Sequence, residues 1–298
     1  MLWGGVAYYP SKVLPVATDI ATKGDQIAEC LEACRKHGLQ IHVWKVDWNL
    51  GRDVPKEFVA KLRAEHRLQM SDTGEEEPWL CPSNPLNAAL ECDALVEVAR
   101  NYAVDGIHFD YIRYPDGRHC FCPPCRVRFE QATGSPVAKW PADVQPKGVR
   151  REAWIKWCQE NINTVVRTTS EQVRKVRPGI KVSAAVFRQW DQDSRVVMQD
   201  WKLWCAQGWL DFVCPMDYTE SETGYDSWIR QQKQWAGPAG LVPGIGITSS
   251  RTTLAPDAAV RQIEITRRHV TQGFILFNYG EREARVIIPT LGLGPTRR

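Results

Sequence analysis

Asp105-Gly-Ile-His-Phe-Asp-Tyr-Ile-Arg-Tyr-Pro115 is the stretch from which the fold is read. Ile107, Phe109 and Tyr111 fall on one side of a period-two element, while His108 and Asp110 fall on the other. Asp105-Gly106 and Pro115 are breakers at its two ends, so the stretch is one short strand with a carboxylate at its C-terminal end. Just beyond, Arg113 offers a fixed fork of donors and Tyr114 a ring with a hydroxyl, a mixture suited to holding a polyol.

On both sides of this strand, helix-period and strand-period segments alternate, and that rhythm predicts a parallel sheet. Helices are expected over 21–38, 55–67, 86–102, 150–177, 194–207, 225–236 and 256–270, with Ile27, Cys30, Leu31 and Cys34 on one stripe of the first. Strands are expected over 40–47, 78–81, 181–187, 209–217, 241–247 and 273–278 as well as at Asp110. An eight-stranded barrel needs one more, and only Met1-Leu-Trp-Gly-Gly5 remains to supply it. The expected architecture is therefore a single α/β domain over 1–298, a (β/α)8 TIM-type barrel lacking most of strand one. Residues 116–148 are too long for an ordinary connection and read as a cysteine-containing lobe or lid inserted after strand four.

Composition narrows the function classes. A chain of 298 residues with 43% hydrophobic content can bury one large core. The net charge of +3 comes without a stripe of Lys and Arg that would track phosphates, so nucleic acid is not the expected partner. No apolar run approaches the ~18 residues of a membrane span. Thirteen tryptophans are many for this length. Trp44, Trp48, Trp79 and Trp190, near strand ends, are candidate platforms for sugar rings, the alternative being that each buries apolar area in the core.

Barrel active sites are built at the C-terminal ends of the strands, where two carboxylates stand out. Asp110 ends strand four, and Asp217 ends strand six in Asp211-Phe-Val-Cys-Pro-Met-Asp-Tyr218. Two acids facing one cleft are what glycosidic cleavage requires, one to protonate the leaving oxygen and one to attack or to activate water. The alternative is that either acid caps a loop or pairs with Arg113. Asp47, Glu220 and Glu222 are further acids that could replace Asp217 as proton donor. Around the pair, Trp44, Lys45, Trp48 and His108 are expected to line the substrate site, although a histidine one layer below Asp110 is more often a satisfied interior one than a catalyst. Arg113, Tyr114, Tyr218 and Asn278 would orient the sugar.

His119-Cys-Phe-Cys-Pro-Pro-Cys125 places three thiols within six residues. With Cys81 as a fourth ligand, Cys120, Cys122 and Cys125 suit a closed, structural Zn²⁺ site, with disulfides as the competing reading. Cys30, Cys34, Cys158 and Cys205 lie on helical apolar stripes and are expected to be buried free thiols. A nucleophilic serine is not expected, since Gly-x-Ser-x-Gly is missing, and no cofactor is called for, since Gly244-Ile-Gly246 lacks the rest of a dinucleotide fingerprint.

At Asp105–Pro115 the sequence resembles the glycoside-hydrolase-like 10 family, the YngK-like group of bacterial barrel proteins. Further blocks resemble it in order: Ala7-Tyr-Tyr-Pro-Ser11, Val43-Trp-Lys45, Trp79-Leu-Cys-Pro-Ser83, Val182-Ser-Ala-Ala-Val-Phe187, Gln199-Asp-Trp201 and Asp211-Phe-Val-Cys-Pro-Met-Asp-Tyr-Thr219. The resemblance implies a TIM-type barrel and a glycoside hydrolase acting on an oligo- or polysaccharide. In that reading Asp110 is the strand-four nucleophile and Asp217 the strand-six acid/base. It also implies export for many members, although no signal peptide precedes Met1. The rival expectation is a non-catalytic carbohydrate-binding barrel. A metal-dependent deacetylase would need a His/Asp metal site at the barrel mouth, and the sequence contains no such constellation.

Overall fold

The computed structural model describes residues 2–294 and 296. Strands β1 (Leu2–Trp3), β2 (Val6–Ala7), β3 (His42–Val46), β4 (Leu68–Met70), β5 (Glu76–Leu80), β6 (Gly106–Asp110), β7 (Lys181–Val186), β8 (Phe212–Pro215), β9 (Gly240–Leu241), β10 (Gly244–Gly246) and β11 (Ile275–Phe277) alternate with helices. The helices are α1 (Ile20–Lys23), α2 (Gln26–Lys36), α3 (Lys56–Ala64), α4 (Pro85–Asn101), α5 (Pro123–Thr133), α6 (Arg151–Val176), α7 (Trp190–Val196), α8 (Trp201–Ala206), α9 (Glu222–Ala236), α10 (Pro256–Arg268) and α11 (Ile288–Leu293). The chain divides into two compact units, one running to Val182 and taking back Ser194–Asp200, the other made of Ser183–Asp193 and the chain from Trp201 onward.

In the first unit, β1, β3 and β6 run parallel, with Leu2 opposite Lys45 and Val46 opposite Asp110, so β3 and β6 end at the same edge. The start of the chain thus supplies a strand beside β3, where the sequence placed strand one. Ile107 and Phe109 are buried on one face of β6, and helices α4 and α6 pack against each other, with Leu95 and Val98 of the one and Ile162 and Val166 of the other buried. The helix starts follow local chemistry: the Asp25 side chain accepts from the amides of Ile27 and Ala28, and Asn84 accepts from Leu86 ahead of Pro85 in the first turn.

Two expectations fail in this unit. The segment 78–81 was expected as a barrel strand, but β5 pairs antiparallel with β4 around a turn at Gly74, whose φ of +85° suits glycine. Cys30 is exposed and Cys34 half-buried, because only Ile27 and Leu31 of α2 reach the core. Cys158 is buried, as expected. The excursion is ordered rather than irregular: it contains α5, and Phe121, Phe129 and Trp140 pack on Trp154 of α6.

In the second unit, β7, β8 and β9 are parallel, and β10 and β11 form a separate parallel pair. The expected strand 241–247 is broken in two by Pro243, which has no N–H to give a ladder. The helix expected over 194–207 is likewise interrupted, at Met198 of the first unit, which takes φ +59° between α7 and α8. Tyr225 and Ile229 of α9 and Ala259 and Ile263 of α10 are buried where these helices pack, and Cys205 is buried on α8.

Candidate active site

Asp110 stands where β6 ends. Cross-strand neighbours on its face are Trp44, opposite His108, and His42, opposite Gly106. Gly106 is required there, since an added Cβ would lie 2.2 Å from the His42 ring. Trp44 Nε1 donates to one Asp110 oxygen at 3.1 Å and the Tyr111 amide to the other at 2.8 Å. The residue is only 9% exposed. Burial pushes its carboxyl up to about 6, against the pull of those two hydrogen bonds and of Arg113. Asp110 therefore exchanges its proton near neutrality.

Directly after it the backbone turns. Tyr111 takes φ +56°, a conformation rare for a bulky residue, and the Arg113 amide donates to the Tyr111 carbonyl at 2.7 Å. The turn removes Tyr111 from the strand alternation, so it is half-buried rather than packed beside Phe109. The Arg113 guanidinium lies 4.9 Å from the centre of the Tyr111 ring and 5.6 Å from that of Trp79, and the two rings are 5.6 Å apart. A carboxyl with aromatic faces and a cation beside it is a surface that can stack on and hydrogen-bond to a sugar. Trp79 and Arg113 were expected at such a surface; Tyr111 was not, because nothing in the sequence announces the turn.

Several expected contacts lie elsewhere. Lys45 is fully buried, ion-paired to Glu91 of α4 and 3.5 Å from Asp47, so its ammonium closes an internal charge cluster. Burial works to lower its pKa, but Glu91 and Asp47 outweigh it; burial drives Asp47 up despite Lys45. Trp48 and Tyr114 have no accessible surface, Trp48 giving its amide to Glu91 and Tyr114 lying near the buried cysteines. All three, expected as substrate contacts, are buried where they stand. His108 is half-buried, and burial followed by the nearby His42 lowers it to about 4, so the imidazole is neutral at physiological pH.

In the second unit, Asp217 is also fully buried instead of facing solvent. The reason is local: its amide donates to the Pro215 carbonyl at 2.9 Å, a tight turn that ends the alternation of β8. One Asp217 oxygen accepts from Gln232 Nε2 of α9 at 2.6 Å, and the other has no hydrogen-bond partner among the described residues. Burial raises its pKa well above the usual carboxylate range, against Gln232 and the more distant Arg188. Burial thus favours the protonated form of Asp217. Tyr218, half-buried, stacks on Phe277 at 5.3 Å, and Asn278 is exposed. Glu220 is exposed as well, and Trp190 packs on Trp235.

The four cysteines expected to share a ligand do come together. The sulfurs of Cys81, Cys120, Cys122 and Cys125 all lie within 4.8 Å of one another, buried and unbonded, and could hold a metal ion. Thiol donors from the other three hold Cys81 well below its ordinary range, while burial holds Cys120 and Cys125 above theirs.

An α/β fold with parallel strands is also what comparison with known proteins finds. Residues 2–244 match the family model described as Glycosyl hydrolase-like 10. The chain belongs to this family. Its structure is similar to the PgaB (BpsB) glycoside hydrolase domain from Bordetella bronchiseptica, with a TM-score of 0.70 at 17% identity, covering 92% of this chain and 79% of that one. It is also similar to α-L-fucosidase isoenzyme 2 from Paenibacillus thiaminolyticus, at TM-score 0.61 and 16% identity, covering 92% of this chain and 40% of the fucosidase. A third is the cold-adapted β-galactosidase from Rahnella sp. R3, at TM-score 0.64 and 12% identity, covering 88% and 45%. The chain spans less than half of the latter two proteins. At these identities the likeness is one of fold, that of glycosidase barrels. No curated protein matches the chain. Among the described residues, no helix is long and apolar enough to cross a membrane.

Proposed function

We propose that this protein is a glycoside hydrolase of the TIM-barrel type that cleaves an oligo- or polysaccharide. The observation that carries the reading is Asp110: an acid at a strand end, poised near pH 6 and flanked by Trp44, Trp79, Tyr111 and Arg113. Family membership and the glycosidase neighbours support it.

In this reading ionised Asp110 attacks the anomeric carbon as Asp217 gives its proton to the leaving oxygen, and water then releases the sugar from Asp110. Burial of Asp217 suits a donor that must carry a proton at neutral pH, as long as its side chain leaves Gln232 when substrate binds. Arg113, Tyr218 and Asn278 orient the sugar. A separation of ~5 to 5.5 Å between the working carboxyl groups would give retention and ~6.5 to 9.5 Å inversion. No cofactor enters the chemistry; the cysteine cluster is read as a structural Zn²⁺ site apart from it.

The zero exposure of Asp217 favours a second reading, a barrel that binds carbohydrate without cleaving it. Calorimetric titration with a panel of glycans, run beside an assay for new reducing ends, separates the two. Release of reducing ends supports the hydrolase; heat of binding with no release supports the binding protein.

A further inference from the structure

The cysteine cluster is built for one ion of a particular kind. Four sulfurs at the corners of a tetrahedron around Zn²⁺, with Zn–S near 2.3 Å, stand about 3.8 Å apart. Here Cys81 is 3.3 Å from Cys125 and 3.9 Å from Cys122, and no pair exceeds 4.8 Å. A disulfide would need about 2.0 Å, and a multi-iron cluster would push the sulfurs further apart. Local structure explains the approach. Cys122 caps α5 and Cys125 lies in its first turn, its amide donating to the Cys122 carbonyl at 2.9 Å, so the two thiols share one face.

The surroundings are those of an anionic cluster. The Met70 amide points at Cys120 Sγ at 3.4 Å. Ser83 Oγ lies 3.2 Å from Cys81 Sγ and 3.1 Å from Cys125 Sγ, and Arg128 Nη1 donates to that hydroxyl at 3.2 Å, placing a guanidinium behind it. Such outer donors offset the excess negative charge that four thiolates leave around a divalent ion. Four buried sulfurs and no carboxylate or water-facing position select a soft metal in a closed site.

The ligands come from two segments. Cys81 directly follows β5, which carries Trp79; Cys120, Cys122 and Cys125 follow the turn that carries Tyr111 and Arg113. We propose that Cys81, Cys120, Cys122 and Cys125 bind one Zn²⁺ as a tetrathiolate, and that the ion clasps these segments so that Trp79 is held against Tyr111 and Arg113 beside Asp110. Binding releases the remaining thiol protons. The meaning of the clasp for substrate rests on the glycosidase reading; metal binding does not.

The test is made on the full chain purified under reducing conditions and loaded with Zn²⁺. Elemental analysis should find one zinc per chain, and exchange with Co²⁺ should give the sulfur-to-cobalt charge-transfer and long-wavelength bands of a tetrahedral tetrathiolate. Cys125→Ser should lose the ion, and Cys205→Ser, whose thiol is buried on α8, should keep it. Removing zinc should raise amide exchange together in 76–81 and 111–115. A loaded wild-type protein without zinc, or a Co²⁺ spectrum without thiolate bands, overturns the site even if Cys125→Ser fails to fold. Unchanged exchange in both segments overturns the clasp. None of these readouts uses hydrolysis, so failure here is distinct from failure of the hydrolase reading.

Discussion

Trp44 Nε1 donates to Asp110 across two neighbouring parallel strands, at 3.1 Å, and so fixes the carboxyl at the edge where both strands end. Trp44 therefore acts on the acid rather than as a free platform for a ring. Trp44→Phe keeps the aromatic bulk and removes one hydrogen bond that stabilises the ionised form. The acid limb of the pH profile of kcat/KM should move upward by roughly one unit or less, while the basic limb stays in place. An unmoved acid limb would mean that the indole does not tune Asp110.

The same carboxyl costs the fold stability. Asp110 rises from 3.8 to about 6 on folding, so the native chain holds a proton that the unfolded chain releases first. No penalty exists below pH 3.8; it grows between the two values and is complete above about 6. Asp110→Asn should therefore stabilise the protein at pH 7.5 by up to the order of 3 kcal/mol. Urea unfolding at pH 7.5 and at pH 4 checks this, the gain shrinking toward zero at the lower pH.

Glu91 is the partner on which the buried Lys45 depends. Glu91→Gln leaves an ammonium in the interior with Asp47 as its remaining acid, and should cost about 3 to 5 kcal/mol. A fall in Tm with no change in glycan affinity would confirm that Lys45 belongs to the core. Weakened affinity in a fully folded variant would return it to the substrate site.

Asp217 can be separated into its two possible roles. Asp217→Asn resembles the protonated acid in shape and should leave Tm unchanged or raised, because the raised pKa makes the charged form the unfavourable one. If Asp217 gives the leaving group its proton, kcat on an unactivated glycan should fall about 10² to 10⁴-fold. Retained kcat would make Asp217 a polar group of the core.

The βα rhythm, the strand at Asp110 and the four-cysteine constellation were legible because period, breaker and spacing are local. What stayed hidden depends on turns and on partners distant in sequence. Tyr111 and Asp217 both leave the expected alternation where the backbone turns at a strand end. Lys45 and Trp48 read as site residues because their partner, Glu91, comes from a helix more than forty residues away. A signal for it was present: Asn87, Glu91 and Leu95 share one stripe of α4, and Tyr225, Ile229 and Gln232 share one of α9, so a polar residue within an apolar stripe marks a buried partner.

Asp110 is the residue proposed to perform the chemistry. Release of reducing ends from a glycan that the wild-type protein cleaves, measured for Asp110→Asn with binding followed in parallel by calorimetry, tests it most directly. The expected result is a loss of kcat of roughly 10³-fold or more, with glycan affinity within a few-fold of wild type. Hydrolysis at the wild-type rate by a folded Asp110→Asn protein would contradict it.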